Sequence, residues 1–317
     1  MAGAGEIRDG PEVVVRRGPE LAAGAGHPRR TLLAYLELTK PKSVSLLVFT
    51  AFAGMVLASA TLGIPLTPVS LAMGLAAIVA GCAGCNAMTC YIDRDVDALM
   101  ERTRHRPLPE GRIRPASRAA VFGGVLLVVS LVLAWAGSSL ALVFMALGIV
   151  DNVVVYSLWL KRSSSWNIVL GSVSGGMPVA FGWAFVSGTL GVAAILAAAL
   201  VVLWTPTHIW SLALRYREDY ARAKIPMLPV VTREVTALRC MVSTAALLVP
   251  VSLALPLVAP ALGAGYLAVA AGFGIPVVVV NLWLGIRPSR ERAWFAFKFS
   301  SPYLAMVFLA LVLDAVL

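Results

Sequence analysis

Residues 119–136 read AAVFGGVLLVVSLVLAWA, an uncharged apolar run as long as an α-helix that crosses a membrane. Eight further stretches of the chain are similarly apolar. The nine stretches are 43–61, 69–90, 119–136, 139–158, 167–187, 190–210, 240–259, 265–286 and 297–317. Each run is continuous and does not alternate with polar residues, which excludes a membrane β-barrel.

The composition leads to the same class of protein. Of 317 residues, 59% are hydrophobic and only 13% are charged, which is too little charge to cover a soluble domain of this length. We therefore predict an all-α polytopic membrane protein, a bundle of nine transmembrane helices, with the lipid bilayer as its surroundings.

The basic residues predict the orientation of the bundle. All 26 lysines and arginines lie in five alternate segments. These segments are the residues before the first span, 94–118, 161–162, 215–239 and 287–298. Basic connections stay on the cytoplasmic side, so we predict a cell-membrane protein with a cytoplasmic N-terminus and Leu317 outside. The net charge of +10 is then a consequence of topology and does not indicate a nucleic-acid partner.

The first 30 residues have no apolar core of a signal peptide, and their Gly, Ala, Pro, Arg and Glu composition predicts a disordered cytoplasmic tail. The membrane domain is then predicted to occupy residues 31–317.

The connection after the second apolar stretch carries the clearest chemical pattern. Asp93 and Asp97 are four residues apart and would share one face if the helix continues, whereas Asp95 would point elsewhere. Two adjacent carboxylates repel each other unless a cation joins them, and Mg²⁺ prefers oxygen ligands. Arg102 and Arg106 follow, and guanidinium groups match phosphate oxygens. This pattern predicts a diphosphate site, although an ordinary basic cytoplasmic loop is the simpler interpretation.

A second connection, after the sixth stretch, repeats the combination of acids and arginines. It contains Arg217, Glu218 and Asp219. Both clusters lie at cytoplasmic helix ends, which indicates two helical halves closing one site for two Mg²⁺ ions. His208, near the end of the sixth stretch, is the histidine best placed to meet a membrane-embedded substrate, and a packing role is the alternative.

Several motifs together resemble the UbiA superfamily of intramembrane prenyltransferases, and within it the branch that farnesylates haem. They are Thr39-Lys40-Pro41, the run from Tyr91 to Asp97, Arg106-Pro107, Tyr156 with Lys161, Asn167-Ile168-Val169, Trp204-Thr205-Pro206 with His208 and Trp210, Asp219-Tyr220, and Ile225-Pro226-Met227-Leu228-Pro229. The resemblance covers about residues 36–310. Four residues depart from the family pattern: Thr89, His105, Thr207 and Lys224, the last of which replaces a typical glycine.

The resemblance implies a nine-helix bundle around a central cavity and a reaction of farnesyl diphosphate, haem b and water that gives haem O. It implies that Mg²⁺ is held by Asp93, Asp97, Glu218 and Asp219. It implies a diphosphate site made of Arg102, Arg106, Lys161, Arg217 and Lys40. The haem acceptor and the reacting carbon would face His208, Tyr156, Trp204 and Trp210. An enzyme that processes haem O further is an expected partner.

Two alternatives stay open at this point. The acceptor of a UbiA-type transferase can be an aromatic quinone precursor. A secondary transporter would use Asp93, Asp97 and Asp151 for ion coupling, although transporters place such charges near the bilayer midplane. Product analysis separates the two acceptors, and the position of the carboxylates beside arginines at a helix end disfavours a transporter.

Overall fold

The computed structural model describes residues 28–317, so the predicted tail lies almost wholly outside the described residues. A helix already begins at Pro28, inside the predicted tail. The helices of the described range are α1 (Pro28–Leu38), α2 (Pro41–Leu62), α3 (Pro68–Ile92), α4 (Arg94–Leu99), α5 (Ser117–Gly137), α6 (Ser139–Ser163), α7 (Asn167–Ser187), α8 (Val192–Arg215), α9 (Arg217–Arg222), α10 (Leu228–Val231), α11 (Glu234–Leu257), α12 (Ala264–Ile286) and α13 (Arg290–Val316).

The predicted spans are confirmed. Within residues 28–317, nine helices are long and apolar enough to cross a membrane, namely α2, α3, α5, α6, α7, α8, α11, α12 and α13. Their ends lie within three residues of the predicted ones, except that α6 ends at Ser163, α8 ends at Arg215, α11 begins at Glu234 and α13 begins at Arg290. No β-strand occurs in this range, so the all-α class is confirmed as well.

The spans form a closed bundle. Neighbours along the chain pack against each other, α2 packs against α7, and α13 returns to α2 and α8. Glycines set the closest of these crossings: a Cβ added at Gly54 would overlap the carbonyl group of Val179, and one at Gly182 would overlap the carbonyl group of Ala51. Small residues at such positions let transmembrane helices approach backbone to backbone.

The outer surface of the bundle is apolar. On α5, Val121, Val125, Val128 and Val132 recur at helical spacing, and each is 57–65% exposed. A soluble protein rarely exposes such a stripe, whereas lipid tails accept it without cost. This face of α5 therefore suits contact with lipid.

Two connections on one side of the bundle fold against each other. Ile225 and Met227 of the second connection are buried in one cluster with Val96 and Met100 of the first. The segment between α9 and α10 turns at Lys224, whose φ is +53°, the left-handed conformation that favours glycine. This geometry explains why glycine is typical at that position.

Candidate functional site

Asp93 and Asp97 share one face of the chain, as predicted, but the helix does not run through them unbroken. The α3 helix ends at Ile92, and Asp93 forms the joint with α4. The joint keeps one helical hydrogen bond, from the Asp97 N–H to the Asp93 carbonyl at 2.7 Å, which holds the two residues one turn apart. Both side chains are buried, at 4% and 3% exposure, whereas Asp95 points outward to Arg162.

Each buried carboxylate has a cationic partner. Lys161 donates to Asp93 Oδ2, and Arg106 donates to Asp97 Oδ2 at 2.7 Å. Lys161 comes from the end of α6, on a helix distant in sequence from Asp93. Burying these charges is tolerated because they are paired.

Lys40 adds a third positive charge to the same cluster. Burial lowers the pKa of Lys40 below its ordinary value, and the nearby cations Arg106 and Lys161 lower it further. Within residues 28–317, Lys40 forms no ion pair with the two carboxylates, which pair with Arg106 and Lys161. A bound anion would favour the charged form of Lys40.

Arg102 follows the buried carboxylates in the same connection, and its backbone N–H donates to Asp219. Its side chain forms no ion pair within the described chain, and its guanidinium carbon lies 5.8 Å from the centre of the Tyr216 ring. An unpaired guanidinium is available to bind phosphate oxygens bidentately.

The second acidic pair is divided between two environments. Asp219 is buried and accepts from the backbone N–H of Arg102 at 3.3 Å, so it joins the two connections. Glu218 is exposed and pairs with Arg290, and Arg217 lies 3.7 Å from Glu234. Successive residues on a helix point about 100° apart, and here Asp219 faces the first connection while Glu218 faces Arg290. The structure therefore does not bring Glu218 or Arg217 to the candidate site.

A cavity of about 750 Å³ occupies the bundle beside this cluster. Its wall is mostly apolar and includes Tyr156, Trp204 and His208, as the sequence predicted. Tyr156 links the cavity to the charged cluster, because the Lys161 Nζ atom lies 5.8 Å from the centre of its ring. A Cβ at Gly171 would lie 2.7 Å from the Tyr156 ring, so this glycine makes room for it.

The predicted aromatic residues of α8 separate into two groups. Trp204 donates to the Ser300 carbonyl at 2.7 Å and stacks on His208 at the cavity wall. Trp210 is buried with Tyr220 and Ile225 between the two connections. It is two residues beyond His208, which turns it to another side of the helix, so the structure does not place Trp210 at the cavity.

The donor set fits a magnesium ion that shares its shell with a substrate. Within residues 28–317, no three His, Cys, Asp or Glu side chains converge closely enough to hold a metal alone. Asp93 Oδ1, however, is buried, has no hydrogen-bond partner in that part of the chain, and lies 3.9 Å from the Arg162 guanidinium group. A buried carboxylate oxygen without a hydrogen bond is free to bind a metal ion, and Mg²⁺ commonly takes one or two carboxylates and completes its shell with phosphate oxygens and water.

Comparison with known proteins identifies the family. The pattern of the UbiA prenyltransferase family matches residues 47–310. A relative from Desulforudis audaxviator, named protoheme IX farnesyltransferase, is 51% identical over 286 residues, which cover 90% of this chain and 89% of the relative. The chain belongs to the UbiA prenyltransferase family. The resemblance found in the sequence motifs is thereby confirmed, and a transporter is no longer an alternative.

Solved structures of UbiA proteins share the fold. A digeranylgeranylglyceryl phosphate synthase has a TM-score of 0.73 and 20% sequence identity, and the match covers 90% of this chain and 99% of that one. A UbiA homologue from Archaeoglobus fulgidus bound to DMAPP and Mg²⁺ has a TM-score of 0.60 and 18% identity, covering 87% of this chain and 98% of that one. Both confirm a UbiA-type helical bundle.

Some residues around the candidate site were not predicted from the sequence. Ser300 and Phe297 contact His208 from a helix about 90 residues away, and no sequence signal links them. Asn167 is fully buried at the start of α7, its amide nitrogen 3.5 Å from the Lys161 carbonyl and its Oδ1 atom without a partner in the described chain. Its place in the motif Asn167-Ile168-Val169 was the available signal.

Proposed function

We propose that this UbiA prenyltransferase farnesylates haem b. In the reaction, the C1–O bond of farnesyl diphosphate breaks, a vinyl carbon of haem bonds to C1, water adds to the other vinyl carbon, and a proton leaves with diphosphate. The observation that carries the proposal is a buried, cation-rich cluster with two carboxylates at one end of a large apolar cavity. The name of the 51% identical relative supports haem as acceptor.

The charged cluster would hold the diphosphate. Asp93 and Asp97 are the residues that would bind Mg²⁺, which when present neutralises part of the charge of the diphosphate and makes it a better leaving group. Lys161 and Arg106 exchange their carboxylates for phosphate oxygens, and Arg102 contributes its free guanidinium group. Preformed cations of this kind stabilise charge that develops as the bond breaks.

The cavity would hold the farnesyl chain and the haem. As C1 gains positive charge, an aromatic ring face stabilises it, and Tyr156 is the ring that lies between the cluster and the cavity. The apolar wall limits water near the reacting carbon until the new carbon–carbon bond has formed.

The proposed reaction has a direct test. Purified protein given haem b, farnesyl diphosphate and Mg²⁺ is expected to form haem O, identified by chromatography and mass, and EDTA is expected to stop the reaction until Mg²⁺ is restored. A control reaction lacks farnesyl diphosphate. If haem b stays unchanged while an aromatic quinone precursor is prenylated, the acceptor is wrong although the family is right.

We also propose that the site faces the cytoplasm, with the N-terminus inside and the C-terminus outside. The support is that the basic connections lie together at one side of the bundle. In a chain without native cysteines, Thr189→Cys is expected to react with a membrane-impermeant maleimide in intact cells. Glu101→Cys, which is similarly exposed, is expected to react only after the membrane is opened. Labelling of Glu101→Cys in intact cells would reverse the orientation.

A further inference from the structure

The His208 ring is held by contacts on both faces. Trp204 stacks on one face and Phe297 on the other, each with 4.3 Å between ring centres and with interplanar angles of 21° and 29°. Because both faces are covered, only the edges of the imidazole remain accessible. His208 nevertheless lines the cavity, so it presents an edge there.

The hydrogen bonds of His208 support one assignment of its ring proton. His208 Nδ1 lies 2.7 Å from Ser300 Oγ, and the Ser300 hydroxyl itself donates to the Phe297 carbonyl at 2.8 Å. The Phe297 carbonyl can only accept, so we assign the hydroxyl proton to it, and Ser300 Oγ then accepts from Nδ1–H. With this assignment, Nε2 of the neutral ring keeps its lone pair.

The Nε2 lone pair has no partner in the part of the chain that the structure describes. No hydrogen bond to Nε2 is formed within residues 28–317, and Nε2 is not among the buried polar atoms that lack a partner there. With Nδ1 bonded and both faces stacked, the accessible edge is the one that carries Nε2. A rigid, unprotonated nitrogen that lines an apolar cavity is suited to bind a metal centre. Histidines that bind metals usually donate their other ring N–H to a neighbouring acceptor, as Nδ1 does here.

We propose that His208 Nε2 is the axial ligand of the haem iron and that Ser300 positions it. This inference rests on the proposed function, because it takes haem b as the occupant of the cavity. Imidazole suits iron, and a proximal histidine is a common haem ligand. The bond would fix the macrocycle nearer the Arg215 end of α8, because His208 is seven residues, or roughly 10 Å, from that end.

Other side chains of the cavity provide the competing ligands. Cys82, Cys85, Met145 and Met177 also line it, and thiolate or thioether sulfur can bind haem iron. None of these sulfurs forms a hydrogen bond within the described chain comparable to the one from His208 to Ser300. The experiment must therefore distinguish nitrogen from sulfur on the iron.

The test measures haem binding without farnesyl diphosphate. Purified protein is titrated with haem b, and the reduced complex is expected to show an iron–histidine vibration in its resonance Raman spectrum. The vibration should shift when the histidines carry ¹⁵N. This measurement uses the unchanged protein, so it does not depend on a variant that folds. A vibration that does not shift, or a spectrum typical of sulfur, overturns the proposal.

Variants then assign the histidine. His208→Ala is expected to lose the vibration and to recover a nitrogen-ligated spectrum with added imidazole, whereas His105→Ala, an exposed histidine, keeps it. Ser300→Ala is expected to shift the vibration and weaken haem binding roughly tenfold. An unchanged spectrum in His208→Ala together with normal haem O formation would show that His208 is not the ligand, while the proposed function stands. If the protein binds no haem, both the ligand and the proposed function are wrong. If a histidine binds the haem iron but no haem O forms, only the proposed reaction is wrong.

Discussion

Replacing Asp93 or Asp97 with asparagine is expected to lower haem O formation by about 10²- to 10³-fold, the loss typical when one charge-stabilising group leaves a catalytic site. Both carboxylates are buried beside cations, and Asp93 Oδ1 is the orphaned oxygen that fits Mg²⁺. The rate of haem O formation is measured at saturating farnesyl diphosphate over a range of Mg²⁺ concentrations.

Asp95→Asn is the matched control, since it removes the same charge from the same connection. Its side chain is 62% exposed and bound by Arg162, whose hydrogen bond lowers the pKa of the Asp95 carboxyl below its ordinary value. An exposed pair of this kind contributes little, so turnover should change less than about threefold. An equal loss in Asp95→Asn would contradict the assignment of the buried pair to the metal.

A second control separates folding from chemistry. Asp93→Asn alone leaves the Lys161 charge buried without a partner, which destabilises a protein by about 3–5 kcal/mol. The double variant Asp93→Asn with Lys161→Met removes both charges and is expected to regain most of the melting temperature without regaining activity. Recovery of turnover in the double variant would show that the loss in the single variant came from instability.

Gly182→Ala is expected to destabilise the bundle by about 3 kcal/mol or more, because the added Cβ would overlap the Ala51 carbonyl group at the crossing of α2 and α7. Gly54→Ala meets the backbone of Val179 from the other helix and should behave alike. Backbone cannot move aside as a flexible side chain can. The melting temperature of purified protein in one detergent measures the effect.

Gly124→Ala on α5 is the control for this change. A Cβ at Gly124 meets nothing within 4 Å, so the variant gains helix propensity without a clash, worth up to about 1 kcal/mol. Its melting temperature is expected to stay level or rise. Equal melting temperatures for Gly182→Ala and Gly124→Ala would contradict the close packing of α2 and α7.

The sequence predicted the features that depend on local pattern. Apolar length placed nine spans, and the four-residue spacing separated the buried Asp93 and Asp97 from the exposed Asp95. These predictions succeed because hydrophobic thickness and helical periodicity act over a few residues. Even the break at Asp93 left the pair on one face, since the hydrogen bond from Asp97 to Asp93 persists.

The structure differs from the sequence-based expectations in the orientation of some side chains and in partners distant in sequence. The rotation of α9, a helix of six residues, decides that Asp219 faces inward and Glu218 faces Arg290, and composition does not fix that rotation. Trp210 likewise packs against the second connection, although it is close to His208 in the sequence. The α6 helix contains a π-helical segment, Val150–Leu160, directly before Lys161. This segment changes the directions of the side chains along it, and apolar periodicity did not indicate it.

Under the proposed function, the pairing of Asp93 with Lys161 and of Asp97 with Arg106 would make the binding of metal and of diphosphate depend on each other. A diphosphate that draws away the cations frees the carboxylates for Mg²⁺, and Mg²⁺ on the carboxylates frees the cations for phosphate. Each ligand thus removes a competitor of the other. By thermodynamic reciprocity, the factor by which Mg²⁺ tightens farnesyl diphosphate binding equals the factor by which farnesyl diphosphate tightens Mg²⁺ binding. The internal ion pairs would therefore give positive cooperativity between two unlike ligands.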